Sequence, residues 1–166
     1  MESWFMAGSH PKDYELGIDT TITYQGKNSG YIKALASEPE GFGTMMQMFK
    51  ADDYRQKRLR FSGQVKSEGI EGWAGLWMRV DGPKKASLSF DNMGNRPIKG
   101  TTDWQKYEVV LDAPEASVHI AFGVLLRGKG QAWLSDVHFE EVGTDIPVTG
   151  SSREYPDKPA NLDFTQ

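Results

Sequence analysis

Apolar and polar side chains alternate one by one along several stretches of the chain. Across residues 58–66, Leu59, Phe61, Gly63 and Val65 fall on one side, while Arg58, Arg60, Ser62, Gln64 and Lys66 fall on the other. Successive strand side chains point to opposite faces, so this is a half-buried strand with a wholly polar second face. Across residues 73–81, Ala74, Leu76, Met78 and Val80 oppose Trp73, Gly75, Trp77, Arg79 and Asp81. Across 118–127, Val118, Ile120, Phe122, Val124 and Leu126 oppose His119, Ala121, Gly123, Leu125 and Arg127. Further strands are expected at 14–20, 30–36, 42–51, 86–91, 104–111 and 131–142. Gly, Pro, Asn or Asp bounds each of them, and Gly128-Lys129-Gly130 reads as a hairpin turn. No long amphipathic helix is visible; residues 51–57 hold at most a helical turn. About nine short strands without helices predict an all-β sandwich or barrel. It forms one domain over residues 1–148. Residues 149–166 carry Ser151, Ser152, Pro156 and Pro159 and read as an extended tail or linker. That tail is either loose or docked through Leu162 and Phe164.

Composition removes several classes of function. The 166 residues suit one domain. With no Cys, disulfides, thiol catalysis and cysteine-ligated zinc are excluded. Lys and Arg total 19 against 23 Asp and Glu, a net charge of −4, which argues against nonspecific binding to nucleic acid. The longest apolar run, residues 120–126, is far short of the ~20 residues of a membrane helix. The first residues show no secretory signal, so a cytoplasmic protein with no membrane partner is expected.

Six motifs carry a resemblance. D-W-Q-K-Y-E-V-V-L (residues 103–111), A-F-G-V (121–124) and G-Q-A-W-L-S-D-V-H-F (130–139) resemble the C-terminal half of carbohydrate-binding, galactose-binding-like jelly rolls, in which a W-x-x-Y/F strand packs against the final strand. Y-R-Q-K-R-L-R-F-S-G-Q-V-K (54–66) resembles an earlier strand of that group, with Gln56 where Gly is usual. W-A-G-L-W-M-R-V-D (73–81) and F-D-N-M-G-N-R-P-I-K-G-T-T-D-W (90–104) are similar to a bacterial domain found alone or joined to AraC-type transcription regulators. The resemblance spans about residues 13–142. It implies a jelly-roll β-sandwich of two antiparallel sheets and a ligand-binding or sensory role. In that group a structural calcium takes one ligand from the first Asp of the last-strand motif. Ser135 stands there, and the following Asp136 is expected to face the other way, so no metal and no cofactor are assigned.

Sugar recognition wants flat aromatic faces beside planar polar groups. Trp73, Trp77, Arg79 and Asp81 share one strand face; Arg60, Ser62 and Gln64 share another. If the two strands lie in one sheet, Arg60, Gln64, Trp73, Trp77, Arg79 and Asp81 form a patch, with Gln47 a further contributor and His119 and Arg127 able to join. The competing reading buries Trp77 under a loop and leaves Arg79 and Asp81 an ordinary same-face ion pair worth ~0.2–1 kcal/mol. The polar loop 91–103 is a second candidate, although its Asn, Asp and Gly residues are primarily turn formers. Trp104 and Trp133 are expected in the core, as are Met45, Met46 and Met48.

Catalytic signals are thin. His10, His119 and His138 form no metal-binding pair, and no nucleophile elbow, phosphate loop or dinucleotide fingerprint occurs. Glu38 and Glu40 flank Pro39, and Glu140 and Glu141 face opposite ways, so neither pair suits glycosidic chemistry. The sequence therefore predicts a non-catalytic module for a small polar ligand or sugar, associated with bacterial transcription regulation. The alternative is a protein–protein or homodimerisation module using the Trp face, with a glycan-active enzyme a weaker third.

Overall fold

The computed structural model describes residues 1–152 and 162–164. Among the described residues ten strands run in chain order: β1 Phe5–Gly8, β2 Tyr14–Tyr24, β3 Lys27–Ala34, β4 Phe42–Lys50, β5 Lys57–Asp81, β6 Ser87–Asp91, β7 Ile98–Ala113, β8 His119–Arg127, β9 Gln131–Val142 and β10 Ser151–Ser152. Every pairing is antiparallel. The two runs read as separate strands at 58–66 and 73–81 are one strand, β5, of 25 residues. Its first part pairs with β7 and β9; its second part, from Trp73, pairs with β8 and β6. One strand thus passes through both layers, so a single hydrogen-bonded network curls into a sandwich. The back layer runs β2-β3-β9-β5-β7 and the front layer β1-β4-β8-β5-β6. Register slips along β5 between Val65 and Ala74 mark where it leaves one layer for the other.

The alternation places the core. Leu59, Phe61 and Val65 from the back layer meet Leu76, Met78, Val80, Phe122 and Val124 from the front. The Phe61 and Phe122 rings lie 4.5 Å apart, and Phe122 stacks on Phe139 at 5.5 Å. Close-packed contacts of this kind, rather than strand propensity, hold the two faces together. The predicted hairpin turn is present, with Gly128 and Gly130 at φ +88° and +119°, values that favour glycine.

The core assignments of Trp133 and Trp104 change. Trp133 is buried, but its neighbours Ala132 and Leu134 are the ones in the core. Asp136 adopts φ +51° and the ladder slips beside it, so Trp133 and Phe139 no longer share a face. The Trp133 indole donates instead to Asp19 Oδ2 at 3.0 Å. Trp104 is half-buried and packs against Tyr24, 5.7 Å between ring centres. No helix forms at 51–57; the helical pieces among the described residues are two 3-10 turns, Pro11–Asp13 and Pro83–Lys85. The start of the expected tail is anchored: Thr149 N–H donates to Val110 O, its hydroxyl bonds Asp91 at 2.6 Å, and β10 pairs with β6. Leu162 and Phe164 are exposed, and Pro156 and Pro159 lie outside the described residues.

Candidate ligand-binding cleft

The front layer carries a trough of about 570 Å³ on its outer face. Three strands make its floor. On β5, Trp73, Trp77 and Arg79 face outward while Ala74, Leu76, Met78 and Val80 are fully buried in the core. The next strand, β8, places Gly123 opposite Trp77 and Ala121 opposite Arg79. Small residues there leave the large side chains of β5 room to lie across the sheet. On β4, Thr44, Met46 and Met48 point into the trough, whereas Met45 belongs to the core. One wall is β1, through Phe5 and Ala7; the other is Phe90 of β6 and Asn92 just after it. Arg127, at the end of β8, closes one end.

The indoles are held rather than loose. Trp77 is only 6% exposed yet lies outside the core, in a separate cluster with Met46, Ala121 and Leu125 against which Trp73 packs. Its Nε1–H donates to Thr44 Oγ1 at 2.7 Å, and the same hydroxyl donates to Val124 O at 3.0 Å. A buried indole N–H left unpaired is costly, so this bond fixes the ring plane. The Arg79 guanidinium sits 5.8 Å from the Trp77 ring centre, within cation–π range. Its Nε donates to Asp81 Oδ1 at 2.7 Å, and both its Nη groups keep their donors free among the described residues. Asp81 thus orients Arg79 rather than lining the trough.

The seven residues singled out from the sequence are divided by this arrangement. Trp73, Trp77 and Arg79 come together, with Asp81 behind them. Arg60 and Gln64 lie on the outer face of the back layer, because β5 changes layers between them and Trp73. There Arg60 holds Glu140, at 2.8 Å and 3.0 Å, and lowers that carboxyl's pKa. Gln47 shares the face of Met45 and Phe49, both turned towards the core, and so does not reach the trough. Met46 and Met48, expected in the core, are out of phase with Met45 and line the cleft instead. The wall residues Phe5 and Phe90 were not anticipated; their strands have four and five residues, too few to show a period.

Loop 91–97 is a structural clamp, apart from Asn92 at the cleft wall. Arg96 forms an ion pair with Asp91 at 2.6 Å and donates to Glu108 O, and Asp91 accepts from Met93 N–H. At the last-strand motif the residues do not fit a calcium ion. The Ser135 hydroxyl donates to Asn28 O, Asp136 is paired with the Lys27 ammonium, and the described residues hold no group of three or more metal-binding side chains. No described helix is long and apolar enough to cross a membrane.

No family model matches the chain. Over 169 aligned positions it is 50% identical to the uncharacterized HTH-type transcriptional regulator YbfP of Bacillus subtilis; all of this chain is covered, but it spans 57% of that relative's length. Among solved structures, the enzymatically active domain of tailspike protein 4 from bacteriophage CBA120 superposes with TM-score 0.64 at 10% identity, over 85% of this chain and 20% of that one. The xylan-binding CBM22-1 domain of Paenibacillus barcinonensis Xyn10C gives 0.60 at 15%, over 85% and 86%. The C-terminal family 22 carbohydrate-binding module of Clostridium thermocellum Xyn10B, studied for the role of its cleft in ligand binding, gives 0.59 at 14%, over 88% and 89%. The chain thus has the jelly-roll β-sandwich fold of the carbohydrate-binding modules and is similar along its whole length to part of a bacterial HTH-type transcriptional regulator.

Proposed function

We propose that the chain is a non-catalytic sugar-binding module that serves as the sensory part of a cytoplasmic transcription regulator, with the front-layer trough as its site. The observation that carries this reading is the pair of indoles on the outer face of β5, Trp77 locked by Thr44 and Trp73 packed against its cluster, with Arg79 at their side. Flat aromatic surface suits the faces of sugar rings, and a guanidinium with free donors suits their hydroxyls. Among the described residues the trough's lining holds no carboxylate, and so no acid pair of the kind a glycosidase uses. The relative named as an HTH-type regulator and the structural neighbours with sugar-binding roles support the same reading. The described residues contain no helix pair able to read DNA, so DNA contact falls to another part of the regulator.

Calorimetric titration with soluble oligosaccharides tests the site. Trp73→Ala weakens binding by about tenfold or more, the equivalent of ~1.4 kcal/mol of lost stacking. Lys106→Ala, on the back layer, leaves it unchanged. Equal binding by wild type and Trp73→Ala removes the trough as the site.

A further inference from the structure

The charge around the trough is opposite in sign to that of the whole chain. The chain carries net charge −4. The trough lining nevertheless includes Arg79 and Arg127 and, among the described residues, no Asp or Glu. A second cavity of about 680 Å³ adjoins it, sharing Met48 and Arg79, and adds Lys84, Lys85 and His119. Among the described residues Asp81 is the one carboxylate on the combined lining, and it is committed to Arg79. Every described arginine outside the two cavities has a carboxylate partner: Arg55 with Asp52, Arg58 with Asp112, Arg60 with Glu140 and Arg96 with Asp91. Arg127, Lys84 and Lys85 have none among the described residues. Four cations thus flank an aromatic floor, three of them without a counter-charge.

The groove follows β5 from Trp73 to Asp81 and continues into the 3-10 turn Pro83–Lys85. Eight strand steps span about 26 Å, room for a chain of several rings rather than one monosaccharide. Arg127 stands beside Trp73 at one end, Arg79 near the middle, and Lys84 and Lys85 at the far end. An extended ligand with negative charge at intervals and flat faces between the charges matches that order. Guanidinium groups with free paired donors suit carboxylates in particular.

Resting on the sugar-binding reading above, we propose that the groove takes an acidic oligosaccharide, a chain of uronic acid residues whose carboxylates pair with Arg127, Arg79 and the Lys84–Lys85 turn while a ring face lies on Trp73, which the buried Trp77 cluster supports. Charge complementarity selects such a chain over a neutral one, because a neutral chain leaves three cations without partners.

The test is calorimetric titration of the full chain with hexagalacturonate, a mannuronate hexamer, methyl-esterified hexagalacturonate, xylohexaose and hexaglutamate. At least one uronate hexamer is expected to bind about tenfold more tightly than the methyl ester and xylohexaose, with affinity falling as salt is raised. Arg127→Gln, a change at an exposed strand end, is expected to remove most of that advantage without altering the melting temperature. Equal or tighter binding of xylohexaose or of the methyl ester overturns the acidic ligand while the sugar-binding reading stands. Hexaglutamate binding as tightly as the uronates shows that charge alone is recognised and overturns it too. No binding of any oligosaccharide overturns this proposal and the sugar-binding reading together.

Discussion

Single hydrogen bonds decide how the cleft is built. Thr44 links three strands, accepting from the Trp77 indole of β5 and donating to Val124 O of β8 from its own place on β4. Thr44→Val keeps the shape and leaves the buried Trp77 indole N–H unpaired, so it costs about 1–3 kcal/mol in a urea unfolding titration. Loss of the indole's fixed plane weakens ligand binding in the same variant. A second residue sets acid sensitivity. Burial alone raises the Asp91 pKa, but bonds from Arg96, Thr149 and Met93 N–H outweigh it and hold the value below the ordinary one. A depressed carboxyl stabilises the fold fully above the unfolded-state pKa of about 3.9, and that stability is lost as pH falls through the lower folded value. Asp91→Asn therefore costs about 2 kcal/mol at neutral pH, after allowing for the partial exposure of Arg96. The gap from wild type closes in strong acid. A gap that stays constant from neutral to strongly acidic pH contradicts the assignment.

At the scale of elements, the cleft exists because β8 is narrow where β5 is bulky. Gly123 sits between Trp77 and Met46 in register, and a Cβ there would lie 2.3 Å from Met45 O. Backbone cannot yield as a flexible side-chain end does, so Gly123→Ala pushes β4 from β8 and destabilises by about 1–3 kcal/mol. A variant as stable as wild type by thermal unfolding contradicts that packing. Much of this was legible in the sequence, since strict alternation at 73–81 told which indoles face outward. Alternation gives the face of a strand but not the layer that the strand occupies. For that reason Arg60 and Gln64 were grouped with Trp77, although β5 changes layers between them. Trp133 shows a second limit: one residue at positive φ, Asp136, reverses the phase of everything before it. Phase alone did separate Met46 and Met48 from Met45, and the shared residue type hid it.

For the whole molecule, the architecture was foreseeable and the ligand's charge was not. Nine expected strands, glycine-bounded turns and the last-strand motif suffice for a jelly roll, because one apolar face per strand leaves few ways to close a core. A net charge of −4 conceals a cationic groove, since Arg127 lies far in sequence from Lys84 and Lys85 and is brought to the same face only when β5 and β8 pair. The central claim is that ligands enter on the outer face of the front layer. Nuclear magnetic resonance of the ¹⁵N-labelled chain tests it directly, because the five tryptophans sit in different places and each gives one indole N–H signal. On titration with whichever uronate hexamer binds more tightly, the Trp73 and Trp77 signals should shift while those of Trp104 and Trp133 stay fixed. Shifts confined to Trp104 and Trp133, with Trp73 and Trp77 unmoved at saturation, would place the site on the back layer and contradict the account.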